Sequence, residues 1–287
     1  MSVFVLKIIA LTAMVIDHAG YFLAGHQLVG TDMYNLMRSI GRIAFPVYCF
    51  LLVNGFEKTS DRPRYLSRLM LFALLSQIPF TLTFSFINYG SPSGGFEFSF
   101  GFFPLLYAAF SLCAAAVYFF LVKRDISALW AALFLLLGAV RLKLGGYQIL
   151  GESLNVFYTL SLGLAAIAVI DKLLYQDGSL PEAILQALML LVAIMLLQPN
   201  ADYAYGGLAL ILALYLFRQW RPAQLAVIFI WCLCFYWGWA RINLYFSFFS
   251  LLPVLFYNGK KGPGMKLAFY AVYPLHLLVL GILNFVL

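Results

Sequence analysis

The chain has 287 residues, of which 64% are hydrophobic and only 10% are charged, and its mean hydropathy is +0.94. This composition is far more apolar than the roughly half-apolar usage of soluble domains, so it predicts a polytopic membrane protein. The net charge of +7 would suit a nucleic-acid ligand in a soluble protein. Here the basic residues gather in short loops between apolar runs, so the charge indicates membrane topology and we expect no nucleic-acid partner.

Apolar runs of about 17 to 22 residues predict an all-α bundle of about ten or eleven transmembrane helices in one integral domain, 1–287. The predicted spans are 3–23, 40–56, 66–87, 101–121, 127–141, 154–173, 183–198, 204–217, 224–240, 242–257 and 267–286. The fifth and tenth runs are short, which leaves the count open between ten and eleven. The first run lacks a cleavage site of the signal-peptide type, so we expect it to remain as a helix.

Lys and Arg residues concentrate in alternate loops, which places the N-terminus on the cytoplasmic side. The C-terminus would then face outward with eleven spans and inward with ten. The segment 88–101 is rich in Gly, Ser and Pro, so it is predicted to be a loop on the outer side.

The first span carries three ionisable residues, Lys7, Asp17 and His18. Such groups are costly in a bilayer, which favours a functional role. The eleven positions from Lys7 to His18 place both side chains on one helix face, about 16 Å apart. Asp17 and His18 point in different directions, so each needs a partner on another helix. Arg42 is the expected counter-ion of Asp17, and His18 is then available as base or nucleophile. The alternative is a structural ion pair beside an imidazole that links helices.

The last span contains a second deep imidazole, His276, two residues after Pro274. A proline inside a helix frees a backbone carbonyl, which is tolerated in lipid only where neighbours satisfy it. His276 is therefore a candidate for either catalysis or structure, with Tyr273 as a supporting polar group. His26 lies in a predicted outer loop and is assigned no role.

Other polar residues are weaker candidates. A loop on the predicted cytoplasmic side carries four cations that suit phosphate groups, anionic lipids or simply a topology signal: Lys58, Arg62, Arg64 and Arg68. Gln77 and Asn155 are of the type that forms hydrogen bonds between helices. The four cysteines lie in apolar runs without metal-binding spacing, so no metal site is predicted.

The order of these motifs resembles the TraX family of bacterial membrane proteins. The resemblance begins with Lys7-Ile-Ile-Ala-Leu-Thr-Ala-Met-Val-Ile-Asp17-His18 and Gly41-Arg42-Ile-Ala-Phe-Pro46. It continues through Gly55 and Thr59, Tyr65-Leu-Ser-Arg68-Leu69, Ser76-Gln77-Ile-Pro-Phe80, Asn155-Val-Phe-Tyr-Thr159-Leu-Ser-Leu-Gly163, Asp202-Tyr203 with Gly206, and Tyr273-Pro-Leu-His276. The resemblance therefore spans almost the whole chain.

The resemblance implies an acetyltransferase of the bacterial inner membrane. The TraX family is named for a protein that acetylates the N-terminus of F-type pilin, and it is similar to a wider group of transmembrane acyltransferases that use cytoplasmic acyl-CoA. On this basis His18 is the expected catalytic group, with Asp17 and His276 near it. The phosphates of acetyl-CoA are expected at Lys7 and the basic loop, and Arg42 with Asn155 would stabilise the oxyanion.

Several alternatives remain open at this level. The acceptor can be an amine or a hydroxyl on a pilin-like peptide, a glycan or a lipid. His18 can act as general base or through an acetyl-imidazole. A membrane transporter with an intramembrane Asp-His proton relay is the competing class, although the sequence shows no convincing duplication of the kind that transporters often carry.

Overall fold

The computed structural model describes residues 1–89, 96–100, 140–144, 147–150, 153–175, 180–238, 241–264, 266–284 and 286–287. Its elements in chain order are α1 (Val3–Gly25), α2 (Thr31–Gly41), α3 (Ala44–Lys58), α4 (Arg62–Tyr89), β1 (Phe96–Phe100), β2 (Val140–Leu144), β3 (Tyr147–Leu150), α5 (Val156–Tyr175), α6 (Leu180–Leu197), a 3₁₀ turn (Gln198–Asn200), α7 (Ala204–Leu216), α8 (Arg221–Tyr236), α9 (Arg241–Phe248), α10 (Leu251–Leu255) and α11 (Lys266–Leu283). The described chain is mainly helical, as predicted.

The chain divides into two compact units. The first unit combines residues 1–58 with 209–287, and the second comprises residues 59–208. The prediction of a single integral domain is not tested by this division and stays a prediction.

Four helical stretches are long and apolar enough to cross a membrane: Val3–Gly25, Thr31–Lys58, Arg62–Phe84 and Val156–Tyr175. Shorter apolar helices follow in the second half of the chain. These findings support a membrane protein, whereas the count of ten or eleven spans stays a prediction. The predicted span 101–121 and most of 127–141 lie outside the described residues. The predicted span 242–257 forms two short helices, α9 and α10.

A small antiparallel sheet in the second unit was not predicted. Strand β1 pairs with β2, with Phe98 opposite Leu142, and β2 pairs with β3. The sequences FEFSF and VRLKL alternate apolar and polar residues, a pattern typical of strands. The prediction of a loop over 88–101, from its Gly, Ser and Pro residues, is wrong for 88–89, which belong to α4, and for 96–100, which form β1.

The start of α1 is fixed by capping and by a neighbouring loop. The Ser2 hydroxyl accepts a hydrogen bond from the Val5 amide, which satisfies one of the free donors of the first turn. The amides of Val3 and Phe4 donate to the carbonyls of Lys260 and Lys261 at 2.9 and 3.2 Å. The loop that precedes α11 therefore lies beside the first turn of α1.

Candidate functional site

Two histidines from opposite ends of the chain meet in the first unit. His18 on α1 and His276 on α11 place Nδ1 and Nε2, respectively, 2.7 Å apart. The two ring planes differ by 10° and their centroids are 5.0 Å apart. When an N···N hydrogen bond lies on the line that joins the two ring centres, the centroids are about this far apart. The two rings therefore meet edge to edge. His18 is buried, with 8% of its surface exposed.

The hydrogen bonds of His276 assign the tautomers of both rings. Its Nδ1 lies 2.8 Å from the main-chain carbonyl oxygen of Val272, which can only accept, so Nδ1 carries the hydrogen. In the neutral ring Nε2 then accepts, and Nδ1 of His18 must be the donor. The lone pair of a neutral His18 is consequently on Nε2. This is the nitrogen that a general base or nucleophile needs.

Aromatic and cationic groups lie along the same two helices. The ring of Tyr273, which is buried, contacts both His18 and His276 edge to face at centroid distances of 6.1 and 5.6 Å. Lys7 places its ammonium 5.1 Å from the centre of the Phe269 ring on α11. The predicted arrangement of Lys7 and His18 on one helix is present, since both belong to α1. Contacts with α11 thus extend along α1 from Lys7 to His18.

Asp17 forms its shortest ion pair with a residue that the sequence analysis missed. Arg38 Nη1 lies 2.8 Å from Asp17 Oδ2, whereas Arg42, the predicted counter-ion, lies 3.9 Å from Oδ1. Arg38 and Arg42 are four positions apart and so face the same way on a helix. That spacing was the signal that could have identified Arg38. The Arg42 guanidinium also lies 5.9 Å from the Tyr236 ring and is buried.

Glycine allows α1 and α2 to approach closely beside this ion pair. A Cβ atom added at Gly41 would lie 2.4 Å from Cβ and Cγ of Asp17, and one added at Gly20 would lie 2.6 Å from Cβ of Met37. Neither distance is compatible with a side chain unless the helices move apart. The two glycines therefore set the helix separation at which Arg38 reaches Asp17.

Gln77 and Asn155 form one hydrogen-bonded network in the second unit. Asn155 Nδ2 donates to the Ala73 carbonyl at 2.8 Å and to Gln77 Oε1 at 2.9 Å, and its Oδ1 accepts from the Phe157 amide. Gln77 Nε2 donates to the Ser153 carbonyl at 2.8 Å. Both amide hydrogens of Asn155 are thus used in joining α4 to the start of α5. This is the interhelical role expected of such residues.

The four cations of the predicted phosphate loop have separate surroundings. Lys58 belongs to the first unit and the three arginines to the second. Arg62 forms an ion pair with Asp171, and Arg68 lies 5.9 Å from the Tyr65 ring. Arg64 is exposed, and its amide donates to the side chain of Asp61, which caps α4. The segment thus has a structural task in starting a helix in addition to its charge.

A strained turn joins the 3₁₀ turn to α7 in the second unit. Tyr203 and Ala204 have φ values of +63° and +39°, in the left-handed region that residues with a side chain avoid. Thr159 donates to the carbonyl of Asp202, and Gln198 donates to that of Ala204. Backbone strain of this kind persists only where the surrounding structure enforces it. Sequence reasoning gave these residues no role.

No group of three or more His, Cys, Asp or Glu side chains suited to a metal ion occurs among the described residues. The expectation that the protein uses no metal stays a prediction.

The chain is similar to one protein family and to parts of individual proteins. It matches the family described as TraX protein over residues 2–93 and 121–284. A probable fimbrial assembly protein, FimC of Dichelobacter nodosus serogroup H1, is 37% identical over 76 residues, which are 26% of this chain and 30% of the relative. An uncharacterized protein of Rickettsia prowazekii, RP591, is 37% identical over 79 residues, which are 28% of this chain and 27% of the relative.

The matched segments therefore span less than a third of either relative. No solved structure matches the chain. The two matched segments of the family model, in contrast, extend from the start of α1 to the end of α11 and include both histidines of the hydrogen-bonded pair. The chain belongs to the TraX family.

Proposed function

We propose that the protein is a transmembrane acetyltransferase that moves an acetyl group from acetyl-CoA to an amine or hydroxyl acceptor. The observation that carries this proposal is the hydrogen bond between His18 and His276. In it His276 is oriented by a main-chain carbonyl and accepts from His18 Nδ1, so the lone pair of His18 is on Nε2. A base held by a second oriented group is the arrangement that activates acceptors in acyl transfer.

His18 Nε2 would take the proton of the acceptor while the acceptor nitrogen or oxygen bonds to the thioester carbonyl carbon. The tetrahedral intermediate then expels the CoA thiolate, which receives the same proton from His18. The acyl bond to sulfur breaks, the bond to the acceptor forms, and His18 returns to its neutral state. Formation of an acetyl-imidazole on Nε2 is a second route that the same tautomer permits.

Arg42 is the proposed stabiliser of the oxyanion. It is buried, and a fixed charge in a dry cavity acts more strongly than in water. We assign Asn155 instead to the α4 to α5 network of the second unit, which uses both of its amide hydrogens. We expect Arg42→Ala to abolish turnover while expression and membrane insertion persist, and normal turnover in that variant would remove Arg42 from the mechanism.

We further propose that the chain resides in the bacterial inner membrane with its N-terminus in the cytoplasm. Acetyl-CoA would then reach His18 from the end of α1 that carries Lys7. Membership of the TraX family and the fimbrial assembly name of one relative make a pilin-like N-terminus the first acceptor to test, followed by glycans and lipids.

The test is release of free CoA from acetyl-CoA by the detergent-purified protein, together with radiolabelled acetyl transfer to a pilin N-terminal peptide. His18→Ala should abolish both. The matched control is His26→Ala. His26 caps the end of α1, and its Nε2 lies 2.8 Å from Oδ1 of Asn284, the residue that follows α11. This variant therefore removes an imidazole link between the same two parts of the chain without affecting His18. Equal turnover in wild type and His18→Ala would refute the proposal, and solute flux in proteoliposomes without acyl donor would favour the transporter class.

A further inference from the structure

The first unit holds two long cationic side chains in fixed positions around Tyr257. Lys58 donates to the Tyr257 hydroxyl at 2.9 Å and to the Gly259 carbonyl at 3.0 Å. An ammonium group has three hydrogens, and these bonds use two of them. Arg221 lies 5.0 Å from the centre of the Tyr257 ring and 5.0 Å from that of Phe50. Both cations are thus oriented by an aromatic ring before any ligand arrives.

Two further lysines follow immediately in a loop whose backbone is fixed. The carbonyls of Lys260 and Lys261 accept from the first two amides of α1, and the side chains of both lysines are exposed. Gly259 and Gly262, on either side, have φ values of +76° and +73°, which a residue with a side chain rarely adopts. The loop is therefore held by main-chain contacts, and its lysine side chains are left outside that framework.

These cations have little negative charge to neutralise them. The first unit contains ten Lys and Arg residues but only three acidic residues, Asp17, Asp32 and Glu57. Glu57 is the one nearest Lys58 in sequence, and it already accepts from Arg218 at 2.9 Å. The second unit has eight residues of each sign, so the whole net charge of +7 belongs to the first unit.

We propose that Lys58, Arg221, Lys260 and Lys261 form a binding site for phosphate groups at the end of the first unit where α1 begins. Oriented cations with unused hydrogens give charge-assisted hydrogen bonds to phosphate oxygens at a small loss of side-chain entropy. The phosphates belong either to the nucleotide end of acetyl-CoA or to an anionic lipid headgroup. The first case rests on the proposed function and assigns the phosphates of acetyl-CoA to these four residues instead of Arg62, Arg64 and Arg68.

The experiment compares two double variants of the full-length protein in detergent. Lys260→Gln with Lys261→Gln removes two charges from the site and leaves the backbone contacts of the loop in place. Lys172→Gln with Arg241→Gln removes the same charge elsewhere. One arm measures binding of adenosine 3′,5′-bisphosphate, which carries phosphates without an acyl group. The other arm measures the shift in thermal stability on adding phosphatidylglycerol, with phosphatidylcholine as the neutral comparison.

We expect the Lys260 and Lys261 variant to bind one probe about tenfold more weakly, because two exposed ion pairs with phosphate oxygens are lost and each contributes about threefold to the affinity. Weaker binding of the nucleotide by this variant would identify the acyl donor as the source of the phosphate groups. A smaller shift in thermal stability with phosphatidylglycerol would identify a lipid headgroup as their source. Unchanged values in both arms, or equal losses in the control variant, would overturn the proposal. Binding of the nucleotide by His18→Ala separates the two hypotheses, since that variant keeps the phosphate site even if acetyl transfer is not the function.

Discussion

Replacing His276 tests whether it positions His18 or merely fills space. In His276→Phe the Nδ1 hydrogen of His18 loses its acceptor in a site where His18 is 8% exposed. An unsatisfied buried donor costs about 1 to 3 kcal/mol, and His18 can escape this cost by moving its hydrogen to Nε2 or by turning its ring. The first change removes the lone pair from Nε2, and the second turns that lone pair away from its direction in the wild-type site. We therefore expect kcat to fall by about ten- to a hundredfold.

His276→Gln provides the matched variant, because its side-chain carbonyl can accept from His18 Nδ1 as the imidazole does. It should recover a large part of kcat, while KM for acetyl-CoA stays close to wild type in both variants. Steady-state release of CoA measures both constants, and thermal unfolding in detergent monitors folding. Wild-type kcat in His276→Phe, or identical losses in the Phe and Gln variants, would refute the positioning role.

Three further predictions concern the helix contacts. Gly41→Ala should destabilise the protein by about 1 to 3 kcal/mol, because the new Cβ meets Asp17 at 2.4 Å, whereas Gly238→Ala should have a much smaller effect since nothing lies within 4 Å of its added Cβ. In a double-mutant cycle Asp17→Ala with Arg38→Ala should cost less than the sum of the two single changes, because each single change leaves one charge of the pair without its partner; additive values would contradict this. Asn155→Ala should lower stability by about 1 to 3 kcal/mol through the lost network, and an unchanged unfolding temperature would show that the network contributes little.

The two histidines could be chosen from the sequence as candidate site residues, but their contact could not be predicted. Each imidazole stands out because an ionisable group inside an apolar span is costly. Their separation along the chain, from residue 18 to residue 276, leaves no periodic pattern that would pair them. The tautomer of His18 depends on a carbonyl of Val272, which only the geometry of α11 brings to His276.

The sequence correctly predicts an arginine as the counter-ion of Asp17, but it identifies only one of the two arginines that pair with this residue. Arg42 is the predicted counter-ion because it lies at the start of an apolar span. That position indicates only how deep Arg42 lies in the membrane. The structure begins the helical segment earlier, at Thr31, and this brings Arg38 onto the same side as Arg42 one turn before it. An apolar run indicates where a helix enters the lipid, but it does not indicate where the helix begins. The helix can extend into polar sequence as long as its backbone hydrogen bonds continue.

The pairing of α1 with α11 also bears on the number of spans. His18 contacts His276, and His26 contacts Asn284, eight positions further along both segments, so the two helices run parallel. Parallel helices that cross a membrane enter it from the same face, and the number of crossings from the first to the second is then odd. Of the two predicted counts, this favours eleven. We expect the loop at Lys260 and the exposed residue Leu287 to lie on opposite faces. An impermeant maleimide applied to single-cysteine variants at these positions, in a background without native cysteines, should label position 287 and not position 260 in intact cells when the N-terminus is cytoplasmic. Labelling of position 260 alone would favour ten spans, and labelling of both would show that α11 does not cross the membrane.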